Sequence, residues 1–346
     1  MPRHIPYLSV LLTAALLPLA AGCSDRGERQ TSGSATESAA ADSTTTASTG
    51  AAPSPTTPAG TTGEKLRAIA VPTIAPSYAD AERAYHRGSY EEAAGMFQAY
   101  SESNPDNAWG HYMLGLSAWK SGDDSLALEA FDAALRLEPT HRKSLFNSAR
   151  VLIESGRPQD ALERVEKALG AEPLSGEGLR LLGRTKYELG RPDEAIDAYQ
   201  QALALDDHDV WAMNNLGYIY IQTGRSTDAL RPLARAVEIR GNVPVFQNNF
   251  GTALERSGHF TSATQAYRAA LEADSTYAKA AVGLERVRAH GTGSDTSSVD
   301  VAALSREFEQ EVAQWRSRGA VADSAVTAAP VSTTDSTRER GDSVTP

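Results

Sequence analysis

The sequence predicts an all-α solenoid of six stacked helical hairpins with a cap helix, flanked by disordered segments. Three observations predict it. A glycine recurs every 34 residues without insertion or deletion, at Gly88, Gly122, Gly156, Gly190, Gly224 and Gly258. Small residues hold two further fixed places: Ala81, Gly115, Ala149, Gly183, Gly217 and Gly251 before each glycine, and Ala93, Ala127, Ala161, Ala195, Ala229 and Ala263 after it. Both ends of the chain change composition, because residues 24–63 are nearly all Ser, Thr, Ala, Gly and Pro and these types dominate the last thirty. Such segments bury too little apolar surface to offset the entropy lost on ordering.

Residues 1–22 begin with the cationic Arg3, run apolar from Ile5 to Ala21, and bring L-A-A-G directly ahead of Cys23. This stretch resembles a bacterial lipoprotein signal peptide. The resemblance implies cleavage before Cys23 and lipid on both its thiol and its new amine, a membrane anchor that strengthens with every buried methylene. Leu19 lies one place earlier than the family's favoured leucine, which is replaced by Ala20. An ordinary secretory leader and a membrane span are the alternatives; the short run and Pro18 oppose the span. Ser24, after the cysteine, resembles an outer-membrane address in a Gram-negative envelope. Residues 23–73 then form a disordered tether, whose flexible stretch 24–63 has a reach of about 35 Å for about forty residues at roughly 5–6 Å times the square root of length.

The repeats follow as 74–107, 108–141, 142–175, 176–209, 210–243 and 244–277. Each glycine ends a first helix in a conformation with positive φ. The two small places let the first and second helices cross closely. Phe97, Phe131, Val165, Tyr199, Leu233 and Tyr267 are expected to fill the gap to the next copy, and Pro105, Pro139 and Pro173 to stop the second helix. Asp207, Gly241 and Ser275 replace the proline in the later copies. Ser77 and Asp80 form a capping box at the start, and residues 278–290 supply the polar cap that an open stack needs. In the tail, 291–346, one amphipathic helix is predicted at about 298–318, capped at its start by Ser297 with Asp300 and stopped by Gly319. Its stripe of Leu304, Phe308, Val312 and Trp315 has three destinations: the concave groove, a partner, or the nearest core at the solenoid end. The last is the expected one.

The period and the spacing of small residues, aromatics and prolines resemble the tetratricopeptide repeat. The resemblance implies a right-handed superhelix of six such repeats, 74–277, whose concave groove is lined by the first helix of each pair. That mapping places Trp109, Tyr112, Asn147, Arg180, Arg184, Tyr187, Trp211, Asn214, Asn215, Tyr218, Asn248 and Asn249 in the groove. Asparagine both donates and accepts, which suits an extended peptide backbone; it equally suits bonding between adjacent repeats. Leu181 interrupts the ladder in the fourth copy. Arg180, Arg184 and Asn215 are similar to part of the carboxylate clamp of chaperone-binding relatives. Val245 and Asn249 stand where its last cations belong, so the clamp is not expected.

A net charge of −11 opposes nucleic-acid binding. The lone Cys23 excludes an internal disulfide and a multi-cysteine zinc site, and the seven histidines show no ligand spacing. No phosphate loop, nucleophile elbow or dinucleotide fingerprint appears. No cofactor, metal or small-molecule substrate is therefore expected. The leading expectation is a membrane-tethered, non-enzymatic scaffold holding a protein or peptide partner in the bacterial envelope. The alternative is a glycan- or peptidoglycan-binding lipoprotein that uses its groove tryptophans.

Overall fold

The computed structural model describes residues 76–290 and 298–327, and every regular element among these residues is a helix. The leader, Cys23, the tether and the Arg340-Gly341-Asp342 triplet lie outside the described residues. The first helices of the six pairs are α1 (Tyr78–His86), α3 (Ala108–Ser121), α5 (Arg142–Glu154), α7 (Gly176–Glu188), α9 (Val210–Gln222) and α11 (Pro244–Arg256). Their partners are α2 (Tyr90–Ser103), α4 (Asp124–Leu137), α6 (Pro158–Ala171), α8 (Pro192–Leu205), α10 (Ser226–Ile239) and α12 (Phe260–Ala273). The cap helix α13 (Ala278–His290) and the tail helix α14 (Val301–Thr327) complete the chain.

Local chemistry sets these boundaries. All six repeat glycines have φ between 71° and 95°. After each, the next N–H reaches back to the helix it leaves, as when Asp123 N–H donates to the Ala118 carbonyl at 2.9 Å and Arg225 N–H to Tyr220 at 2.7 Å. Asn107, Asp123, Ser175 and Asp209 accept from the first-turn N–H groups of the helices they open. The capping box of Ser77 and Asp80 forms with both bonds present. The prolines, by contrast, do not decide where the second helices stop. α4 ends at Leu137, two residues before Pro139, and α8 ends at the equivalent Leu205 before Asp207. All six second helices end at equivalent places, with or without the ring.

The small first-helix residue and the large second-helix residue of one copy turn out to be partners. A Cβ on Gly183 would lie 2.7 Å from the Tyr199 ring, and one on Gly251 would lie 2.9 Å from Tyr267. The large residue therefore fills the space vacated by its own hairpin, rather than only the gap to the next copy. Tyr267 does both, since it also covers Gly283 of the cap helix. Phe97, Phe131, Tyr199 and Tyr267 are 0–1% exposed, and burying each contributes on the order of 1.5–3 kcal/mol.

From α3 onward, successive first helices approach one another, while successive second helices make no comparable approach. Elements that crowd together lie inside a bend, so the first helices line the concave side. The tail helix departs from expectation in three ways. It begins at Val301, later than 298, although the expected Asp300 does cap it by accepting from Ala303 N–H at 3.0 Å. It passes through Gly319 to Thr327. It lies on the second helices α8 and α10 instead of capping the solenoid end.

Candidate partner-binding groove

The inner face is built from first-helix side chains, and the sequence decides which of them stay accessible. At the N-terminal end, Asn107 caps α3 and starts it one residue before Trp109. Trp109 is 40% exposed. Its indole N–H donates to the Tyr78 hydroxyl at 2.5 Å, and its ring lies 5.0 Å from Tyr112 and 5.8 Å edge-on from His141. The Lys143 ammonium sits 4.9 Å from the same ring. Tyr112 is buried, and burial pushes its hydroxyl up to about 12. That hydroxyl accepts from the Asn147 amide at 3.3 Å. Burial also holds His141 below the usual imidazole range, with Glu138 opposing the shift and Lys143 adding to it.

The middle of the groove is internally neutralised. Asn147 accepts from Arg150 at 2.8 Å, and Arg150 pairs with Glu177 of the next repeat at 2.8 Å. Arg180 pairs with Asp209 at 2.5 Å. Arg184 is 6% exposed. Tyr187 and Tyr218 meet edge-on at 5.8 Å, and Trp211 meets Phe246 at 4.9 Å. Arg150 is nearly buried, and its pairing with Glu177 compensates that burial.

Toward the C-terminal end the asparagines bond to one another. Asn248 donates to Asn249 at 3.3 Å, Asn249 to Asn214 at 2.9 Å, and Asn214 to Asn215 at 3.3 Å. Asn214, Asn215 and Asn248 are only 4–7% exposed. Only the Asn249–Asn214 bond crosses between repeats, so inter-repeat bonding uses two of the four, and Asn249 keeps a half-buried position. Of the groove residues foreseen, Trp109, Asn147, Arg180, Tyr187, Trp211, Tyr218 and Asn249 keep accessible surface. Tyr112, Arg184, Asn214, Asn215 and Asn248 support them from beneath.

Two features outside the groove escaped the sequence reading. An open cleft of about 540 Å³ lies beside Trp109, bounded by the α2–α3 turn and Glu138. At the α8–α9 turn, ligand atoms of Asp206, Asp207 and His208 come within 4.8 Å of one another. These residues are consecutive and lie at the surface; Asp207 is already shared between His208 and Arg316.

Comparison with known proteins agrees with this geometry. Residues 78–142 and 146–210 match one tetratricopeptide-repeat family profile, and residues 179–242 match a second. The stack is a tetratricopeptide-repeat solenoid. No curated protein matches the chain in sequence. Among solved structures, MamA from Desulfovibrio magneticus RS-1 is similar at 24% identity, covering 46% of this chain and 91% of that one, with a TM-score of 0.44. TTC0263, a thermophilic repeat protein of Thermus thermophilus, is similar at 19% identity, covering 53% and 100%, with a TM-score of 0.47. The Cut9–Hcn1 hetero-tetramer of the APC/C reaches a TM-score of 0.53 at 17% identity, covering 60% of this chain and 41% of that one. The last of these likenesses speaks for the fold alone.

Proposed function

We propose that the chain is a lipid-anchored adaptor of the bacterial envelope that holds an extended segment of a protein partner along its concave groove. One observation carries the reading: accessible aromatic and amide groups recur down the inner face from Trp109 through Asn147 and Trp211 to Asn249, fixed by buried side chains behind them. A pre-ordered row of this kind loses little side-chain entropy on binding, and tryptophan, tyrosine and arginine are the types that usually carry interface energy. An open trough suits a chain-like ligand; small-molecule chemistry favours an enclosed pocket.

The anchor is inferred from the L-A-A-G-Cys23 junction, with residues 23–73 as the tether. No helix among the described residues is long and apolar enough to cross a membrane. Radiolabelled palmitate is expected to enter the wild-type chain and to be absent from Cys23→Ser; equal labelling would remove the anchor from the account. For the groove, crosslinking pull-down from envelope fractions should recover a protein partner whose yield falls with Asn147→Ala plus Asn249→Ala. The exposed Trp109 platform favours a second reading, glycan stacking. Cosedimentation with purified cell-wall sacculi that Trp109→Ala abolishes and the asparagine changes spare would support that reading instead.

A further inference from the structure

In a solenoid each repeat touches its sequence neighbours, but α14 joins three repeats at once. It starts at repeat six, where Val299 N–H donates to Ser262 Oγ at 3.1 Å. It then crosses α10 and reaches α8, where Arg316 donates to the Ala204 carbonyl at 2.9 Å and pairs with Asp207 at 3.3 Å. Phe308 and Val312 are 1% exposed, and Leu304 and Trp315 pack half-buried beside them. Around that stripe, Glu309 pairs with Arg235 at 2.8 Å and Glu311 with Arg231 at 3.1 Å. Ser305 donates to Glu238.

The receiving face is peculiar to repeat five. Arg231 and Arg235 occupy the twenty-second and twenty-sixth places of their copy. At the first of these, the other copies carry Gly95, Glu129, Glu163, Asp197 and Gln265, and no other copy has arginine at both. Outward positions of a repeat face solvent and need no such pair. Their presence opposite Glu309 and Glu311 is a charge match to a particular kind of helix, in the helix-in-groove mode with anchors one turn apart.

We propose that the outer face of repeats four and five is a second docking site, separate from the concave groove, which takes an acidic amphipathic helix, and that α14 is its exchangeable resident. Among the described side chains of α14, only two apolar ones are fully buried, and its ion pairs are partly exposed. Pairs so exposed hold weakly and weaken further with salt. A competing helix with an aromatic–aliphatic stripe and the two flanking carboxylates meets the same surface without disturbing the groove.

The test uses the full chain with a specific protease site in place of residues 291–297 and, as probe, a fluorescein-labelled peptide of residues 298–318. Before cleavage the tethered α14 should outcompete the probe, leaving its apparent affinity at least tenfold weaker than after cleavage. After cleavage the probe should exchange in, with affinity falling at least tenfold between 50 and 500 mM salt. Probe carrying Glu309→Lys and Glu311→Lys should fail on the cleaved chain, and Arg231→Glu plus Arg235→Glu in the cleaved chain should restore its uptake. Uptake that cleavage leaves unchanged, exclusion of the probe after cleavage, or failure of the charge exchange to restore binding would each overturn the proposal. So would an uncut dimer in light scattering that exchanges its helices, since the occupant would then be a second copy.

Discussion

Gly183 and Gly170 are both helical glycines, and the structure sets opposite expectations for them. A Cβ at Gly183 meets the Tyr199 ring at 2.7 Å, whereas one at Gly170 meets nothing within 4 Å. Gly183→Ala should destabilise by about 1–3 kcal/mol through overpacking, and Gly170→Ala should stabilise by about 0.5–1 kcal/mol through helix propensity. Urea unfolding of the two variants checks both signs. His141 offers a pH test. Its Nδ1 accepts the Ser144 N–H at 3.3 Å as the cap of α5, which requires a neutral ring. Its pKa is held below 6.5 by burial, so its contribution is complete above 6.5 and is lost as pH falls through the lower folded value. An imidazole titration by NMR should therefore show a midpoint below 6.5, and His141→Asn, which keeps a capping oxygen, should flatten the acid limb. At this scale the sequence was readable wherever sterics leave one choice, as with the six positive-φ glycines. The contact of Tyr199 and its equivalents within their own hairpin was missed because periodicity marks a side chain as apolar without saying which of two crossing backbones it fills.

Among the elements, α14 shows where such reading stops. The spacing of Leu304, Phe308, Val312 and Trp315 established an amphipathic helix, but an apolar stripe carries no address. The address lies in Arg231 and Arg235, which break the repeat pattern, and in their carboxylate partners. Gly319 did not end the helix because an isolated glycine costs only about 1 kcal/mol inside one. Docking should respond to acid. The Ser305 hydroxyl, and then Arg235, hold Glu238 below its usual value of 4.5. Arg306 adds to that effect, while Glu309 competes for Arg235. A depressed carboxylate contributes fully above 4.5 and loses its contribution as pH falls through the folded value. The Trp315 indole resonance should accordingly move toward its undocked position below pH 4.5, and Glu238→Gln should diminish that change.

The whole molecule depends on contacts between neighbouring repeats, because stability in such a stack is roughly a sum of repeat and interface contributions. The Asn214–Asn249 bond joins repeats five and six within a buried amide chain. Asn214→Ala leaves its partners unsatisfied, at a cost of about 1–3 kcal/mol. Hydrogen exchange should show α11 to α13 opening ahead of α3 to α7. The groove itself was legible as a surface but not as a set of free ligating groups. Position in the repeat shows which residues face inward, and only the coordinates reveal that Arg150, Arg180 and the asparagines already hold partners there. What is left accessible still defines one inner track. A photoreactive amino acid placed singly at Trp109, Asn147, Trp211 or Asn249, with Leu174 on the turn edge as a control, tests that track in the producing cells. The account predicts one protein adduct of common mass from the four inner positions and none from Leu174. Adducts confined to the edge, or none from the inner face of a folded and anchored chain, would contradict it.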